Sequence, residues 1–286
     1  MTDSDADGLP SPPSVRGGTL AEDSVHVHFA SFNTAAVTEL CLRTLCGRAG
    51  TPMELTVGDC GSTDGSLERL RAFAAAGWCH LEVAPNGRLH PDWLDGWLAA
   101  ATARYVVFCD SDVEFLRDDW LAEMRAAAEQ SGAALVATRI QARGGVAYRH
   151  PVTGAEATLA ARPEPWLVLI DVAQVRDRVT TSFAYTETMS VDGTKMAYDT
   201  MAAFFRDLEA SGLTHVEMPP EFARAYRHYG SMTWQKQEAA RMPLPRRAKQ
   251  LAKLAWVQVR LRVARQRYRR PPTTLVATAV SGSSSG

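Results

Sequence analysis

From residue 25 to residue 140 the chain alternates between short apolar runs and amphipathic stretches, and this rhythm limits the folds open to it. VHVHFASF (25–32), MELTVGDC (53–60), HLEVAP (80–85), YVVFCD (105–110) and AALVATRI (133–140) read as strands. Between them, AAVTELCLRTLCGRAG, LERLRAFAAAG, PDWLDGWLAAATA and DDWLAEMRAAAEQSG read as helices, with Thr34 placed to cap the first and Gly77 to close the second. Strands joined through helices at this spacing predict an α/β fold with a mostly parallel sheet covered on both faces. After residue 141 the rhythm breaks. WLVLIDV (166–172) is apolar again, and AYDTMAAFFRDLEASG (197–212) predicts a helix, but the rest has no clear period. This more irregular second half is expected to share the same sheet.

A chain of 286 residues that is 46% hydrophobic can bury a sizeable core. Residues 1–23 and 271–286 are rich in Pro, Ser, Gly, Asp or Thr and are expected to lack fixed structure. The formal net charge of −1 conceals an asymmetry. Residues 241–270 hold eleven of the 31 Lys and Arg and no acid, so the rest of the chain carries 20 bases against 32 acids, a balance of −12. The five cysteines have no metal-like spacing and read as buried thiols in a reducing cytoplasm. MTDSDADGLPSPPS lacks the basic start and apolar core of a signal peptide. No uninterrupted apolar run approaches the roughly 20 residues of a spanning helix.

Ligands of open α/β sheets bind beyond the carboxyl ends of the strands. That rule selects Ser31-Phe32-Asn33, Asp59 with Gly61-Ser62-Thr63-Asp64-Gly65, and Asp110-Ser111-Asp112. Asp59, Asp64, Asp110 and Asp112 would then crowd one rim with few cations nearby in sequence, which calls for a divalent cation and the phosphates it binds. Each segment also has a plainer reading, as a turn or as a helix cap.

FASFNTAAVTELCLRTL, ELTVGDCGSTDGSLERL and YVVFCDSDVEF, in this order over residues 25–128, together resemble family-2 glycosyltransferases of the GT-A fold. YDTMAAFFRDLEASGL and RHYGSMTW resemble that family's acceptor-side helix and its later H-x-x-G-S segment. The resemblance implies a Rossmann-like, mostly parallel sheet flanked by helices. It divides a domain over 24–240 into a nucleotide-sugar half (24–128) and an acceptor half (129–240). It also implies a nucleotide-sugar donor, a divalent Mn2+ or Mg2+ ion and these expected roles: Asp59, with Phe32 and Asn33, at the donor base; Asp110 at the ribose and sugar; Asp112 and His228 on the metal. Ser31, Gly61, Ser62 and Ser111 belong to the donor-side segments, and Arg88 and Asp95 are candidates for the sugar or diphosphate. Asp199, at the start of the acceptor-side helix, is the expected general base for an inverting transfer, with Asp192 and Glu187 as rivals. Gly58, Cys60 and HPDWLDGW depart from the family pattern, and the absence of Q-x-x-R-W argues against polymer synthesis. Two other classes stay open: a nucleotidyltransferase, although FASFNTAAV lacks its Gly-rich phosphate loop, and a degenerate nucleotide-binding domain.

In the basic segment 241–270, Leu254, Val257, Leu261, Ala264 and Tyr268 recur at helical spacing, with Trp256, Val259 and Val263 expected to widen the same face. Such a helix either packs on the domain or lies on an anionic membrane, and the surplus of charge favours the membrane. The acceptor would then be a glycan, a lipid-linked precursor or a small molecule met at the inner face of the cell membrane. Nucleic acid is not expected, because the acidic body repels phosphate.

Overall fold

The computed structural model describes residues 21–84, 87–141, 146–149, 156–189, 195–230, 232 and 244–275. In chain order the first half consists of β1 (Ala21–Ser31), α1 (Ala35–Gly47), β2 (Glu54–Asp59), α2 (Ser66–Ala75), β3 (His80–Val83), α3 (His90–Ala99), β4 (Ala103–Cys109), β5 (Val113–Phe115) and α4 (Trp120–Ser131). The second half adds β6 (Leu135–Ala137), β7 (Ile140–Gln141), β8 (Val146–Arg149), β9 (Glu156–Leu159), β10 (Arg162–Pro163), β11 (Leu167–Asp171) and α5 (Val172–Val175). It ends with β12 (Thr186–Met189), β13 (Lys195–Tyr198), α6 (Ala202–Ala210), β14 (His215–Glu217), β15 (Tyr226–His228) and α7 (Leu244–Arg267).

Seven strands form the central sheet in the order β14-β6-β11-β4-β1-β2-β3. All run parallel except β11, which lies antiparallel between β4 and β6. Side-chain alternation sorts the core into two layers. Val25, Val27, Tyr105 and Val107 face Leu42, Leu45, Leu70, Phe73, Trp120 and Met124. Val106, Phe108, Val168 and Ile170 face Trp93, Trp97, Phe204 and Phe205. Each large side chain buried in this way contributes about 1.5–3 kcal/mol.

The predicted α/β architecture is present, with differences in detail. AALVATRI forms β6 over three residues only, and WLVLIDV supplies the antiparallel strand that separates it from β4. β11 is buried along its whole length, so its apolar run carried no sign of direction. The irregular second half contains a second sheet, β12-β13-β9-β8. Thr34 occupies the N-cap of α1, but its hydroxyl meets Thr38 Oγ1 at 3.0 Å instead of capping a backbone N–H. The acceptor-side helix begins at Ala202, later than predicted. Asp199 accepts the Thr200 N–H at 2.8 Å through its carboxylate and the Ala202 N–H at 2.8 Å through its carbonyl, and Met201 takes φ 71°, so a turn replaces the first helical turn.

Of the segments expected to lack fixed structure, residues 21–23 and 271–275 join the fold, and the rest lie outside the described residues. β1 starts at Ala21, and Met53 pairs with Leu275 in a bridge, its N–H donated to Thr274 at 2.9 Å. The basic helix α7 packs on the domain: Val257, Leu261 and Ala264 bury against Val37 and Leu40 of α1 and against Tyr229 and Met232. Trp256, Val259 and Val263 do not widen this face. They lie exposed on the opposite side of the helix together with Leu251.

Two buried glutamates hold α7 in place. Glu39 accepts Arg265 Nε and Nη2 at 2.8 and 2.6 Å, Arg43 Nε at 2.9 Å and Arg69 Nη1 at 3.1 Å. Glu114 accepts Arg260 Nε at 2.6 Å and the Tyr229 hydroxyl at 2.7 Å. Burial would raise the Glu39 carboxyl, but its hydrogen bonds from Arg265 and Arg43 bring it below the ordinary value. Its stabilisation is therefore complete above the ordinary glutamate range and is lost as pH falls through the lowered value. Glu39→Ala is expected to cost about 2–3 kcal/mol in urea unfolding, because it strands three guanidinium groups, two of them half-exposed. A loss below about 0.5 kcal/mol would mean that the Glu39 pairs do not hold the helix.

Candidate active site

Parallel pairing of β2, β1 and β4 brings the ends of these strands to one edge of the sheet, with Ser31 directly opposite Asp59. Asp59 is fully buried; its Oδ2 accepts the N–H groups of Gly61 and Ser62 at 3.0 and 2.9 Å. Its Oδ1 is also buried and has no hydrogen-bond partner among the described residues. Asn33, at φ 53°, accepts the Thr63 N–H at 2.7 Å and donates its own N–H to Ser62 Oγ at 3.0 Å. These bonds tie the two strand ends together, with Phe32 half-buried beside Asn33. Asp64 accepts the Ser66 N–H at 3.1 Å from the position before the N-cap; Gly65, not a residue of Ser62-Thr63-Asp64, occupies the N-cap of α2.

The acid pair at the end of β4 meets a histidine that is distant in sequence. β15 runs antiparallel to β5 with His228 opposite Val113, and Tyr229 donates its N–H to the Asp112 carbonyl at 3.0 Å. This register places His228 Nε2 3.0 Å from Asp112 Oδ1 and 3.5 Å from Asp110 Oδ2. One donor atom from each of Asp110, Asp112 and His228 lies within 4.8 Å of the others. Two carboxylates and an imidazole suit a hard or borderline divalent ion such as Mn2+ or Mg2+. Burial alone would lower His228, but its hydrogen bonds to Asp110 and Asp112 bring its pKa to about 9. Burial likewise raises Asp110, and His228, His90 and Arg162 more than reverse it, so the carboxyl lies below its ordinary value. In the metal-free corner, the imidazolium supplies the positive charge the acids require.

Several residues expected at the site have other roles. Ser31 is buried with its hydroxyl 3.1 Å from Thr38 Oγ1, so it joins β1 to α1. Asp95 is taken up by the Ser182 hydroxyl and by the Phe183 N–H at 2.9 Å, which fasten α3 to the segment before β12. Burial raises its carboxyl despite these bonds. Arg88 lies over the Trp93 ring, 4.5 Å from its centroid, and donates to the Asp92 carbonyl. Ser111 is half-buried in the turn between the two acids. Trp93 and Trp97 stack at 5.0 Å in the core, and a Cβ on Gly58 would lie 2.9 Å from both, which accounts for the glycine there.

Asp199 Oδ2 pairs with Arg162 Nη2 at 3.0 Å, and Arg162 also acts on Asp110, so Asp199 is linked to the acid corner. The Glu187 backbone pairs with Ala197 in the β12–β13 ladder; Asp192 lies outside the described residues. The sequence reading did not single out four further residues at this corner. His90 Nε2 lies 3.8 Å from Asp110 Oδ1, and the Trp166 ring stacks on His228 at 4.5 Å. Arg162 and Glu164 accompany Trp166 in ARPEPW, where two charged residues alternating with two prolines just before a buried strand were the only local signal.

The family described as "Glycosyl transferase family 2" matches residues 27–208. Among solved structures, the fold is similar to the mannosyltransferase PcManGT from Pyrobaculum calidifontis, in complex with GDP-Man and Mn2+. That match has 15% identity and a TM-score of 0.50, and covers 86% of this chain and 72% of that one. Glucosyl-3-phosphoglycerate synthase from Mycobacterium tuberculosis matches at 16% identity, TM-score 0.46, over 87% and 81% of the two chains. TarS from S. aureus matches at 18% identity, TM-score 0.38, over 83% of this chain and 43% of that one, so the present chain spans under half its length. No curated protein matches the sequence. With its GT-A fold and a family match over more than half its length, the chain belongs to glycosyl transferase family 2.

Proposed function

We propose that this glycosyltransferase moves one hexose from a nucleotide-sugar donor to an acceptor hydroxyl, with inversion, using Mn2+ or Mg2+ held by Asp112 and His228. The observation that carries this reading is the convergence of Asp110, Asp112 and His228 beside a buried Asp59 with one unpartnered oxygen. The complex of the similar mannosyltransferase with GDP-Man and Mn2+ supports the same donor class and cation here. When bound, the cation would draw charge from the departing diphosphate.

The residues of the chain divide the remaining work. Asp59 Oδ1 accepts an N–H from the nucleobase, with Phe32 and Asn33 against the same ring, and Asp110 faces the ribose and the sugar. Gly61 and Ser62 keep Asp59 oriented through their N–H groups. Asp199 takes the proton from the attacking hydroxyl, with Arg162 fixing its position. Asp199 is preferred to Glu187 and Asp192 because the Arg162 pair links it to the acid corner.

The outward face of α7 supports a place at a membrane. Leu251, Trp256, Val259 and Val263 are 59%, 48%, 50% and 50% exposed, and the segment that carries them holds eleven cations and no acid. No helix among the described residues is long and apolar enough to cross a membrane. The chain would lie on an anionic surface at the cytoplasmic face, where a lipid-linked glycan precursor is the acceptor this placement favours.

Four measurements test these statements. Donor hydrolysis is expected to vanish in Asp112→Ala. In Asp199→Asn, transfer should fall about 10²–10⁴-fold while nucleoside diphosphate binding holds within about twofold. Unimpaired transfer by Asp199→Asn would rule this residue out as the base. For the metal site, His228 is protonated below about pH 9 and must lose that proton to become a ligand. Calorimetry of Mn2+ binding in buffers of different ionisation enthalpy should therefore show about one proton released near neutral pH, with affinity rising towards about pH 9. Affinity independent of pH below that value would remove His228 from the ligand set. For the membrane, the full chain should float with vesicles containing phosphatidylglycerol and not with pure phosphatidylcholine. Val259→Asp with Val263→Asp should abolish flotation without a change in melting temperature; unchanged flotation would contradict the assignment of this face.

A further inference from the structure

One carboxylate beside the acid corner has no part in the mechanism described above. Glu164 is only 8% exposed, yet no described group hydrogen-bonds its carboxylate. Arg139, His228, Glu217 and Arg162 act on it through space alone. Burial pushes the carboxyl up, and the three cations only partly offset this. Its acidic neighbour Glu217, by contrast, accepts the Ile140 N–H at 2.9 Å. Its oxygens are not among the fully enclosed atoms that lack a partner, so the carboxylate keeps a small opening through which a hydrogen-bond donor from outside the protein can reach it.

Its position indicates what that donor is. Glu164 sits between Pro163 and Pro165, which restrict the backbone on both sides, and its N–H is anchored to the Arg139 carbonyl at 2.9 Å. Two residues before it, Arg162 pairs with Asp199; two residues after it, Trp166 stacks on His228. The carboxylate is thus near both His228 of the metal corner and Arg162, the partner of Asp199, on a backbone restricted on both sides. A carboxylate repels phosphate but accepts strongly from a hydroxyl. We infer that Glu164 accepts a hydrogen bond from a hydroxyl of the transferred sugar and helps select which sugar the enzyme uses. This rests on the donor reading above.

The test compares Glu164→Gln and Glu164→Ala with the native chain. Each is titrated, in Mn2+, with a panel of nucleoside diphosphates and their hexose derivatives, and donor hydrolysis is followed without acceptor. Nucleoside diphosphate binding is expected to stay within about twofold, while nucleotide-sugar binding and hydrolysis fall roughly 10–100-fold. The melting temperature should stay level or rise, since an unpaired buried acid is removed. Native-like sugar-donor binding in both variants would overturn the inference. So would loss of nucleoside diphosphate binding together with a lower melting temperature, which is the mark of a structural role. Loss of transfer with hydrolysis intact would place the hydroxyl on the acceptor and overturn the assignment to the transferred sugar. If the native chain binds no nucleoside diphosphate at all, the donor reading itself fails and this inference fails with it.

Discussion

Two aspartates one residue apart at the end of a fully covered strand repel each other, and the structure answers that repulsion with a cation. In the metal-free protein the cation is His228, brought from a site 116 positions beyond Asp112 by the antiparallel pairing of β15 with β5. The same imidazole that neutralises the acids must give up its proton to become a ligand. On the proposed reading, protonated histidine and bound metal would be alternative occupants of one electrostatic site, which would link metal affinity to pH. The surrounding groups fit this arrangement: Trp166 fixes the imidazole plane, and Arg162 connects the acid corner to Asp199.

A second electrostatic device shapes the back of the molecule. Glu39 and Glu114 are buried acids on α1 and β5, and each receives an arginine from α7. Removing either acid would leave converging guanidinium groups, so the helix is tied to the domain by charge as well as by Val257, Leu261 and Ala264. Lys253 adds a hydrogen bond to the Gly230 carbonyl at 3.0 Å, only two residues beyond His228. The basic helix and the metal corner therefore share one stretch of backbone, and a surface that engages α7 lies structurally close to the catalytic half.

The features legible in the sequence were the local ones. Asn33, Asp59 and Asp112 each follow an apolar run, and parallel strands must place such ends on one rim. Direction and partnership were not legible. β11 is apolar throughout because both its faces are covered, and that pattern is the same for a strand running either way. The Ser31 hydroxyl could have faced the rim; it turns to Thr38 because α1 packs directly above it. Asp95 lost its expected role to Ser182 and Phe183, on a loop whose return to α3 no local pattern announces. In α7 the spacing of apolar residues identified a helix, but Trp256, Val259 and Val263 fall opposite the face that α1 covers. Arg162 and Glu164 stood in a stretch without period, where only folding gives them their neighbours.

The central claim is that Asp112 and His228, with Asp110 beside them, hold the metal and diphosphate of a nucleotide-sugar donor. Crystals grown with Mn2+ and a nucleoside diphosphate test this most directly through the anomalous signal of manganese. The account predicts one strong peak within coordination distance of Asp112 and His228, with the nucleobase against Asp59. A peak elsewhere, or a nucleotide bound away from Asp59, would contradict it.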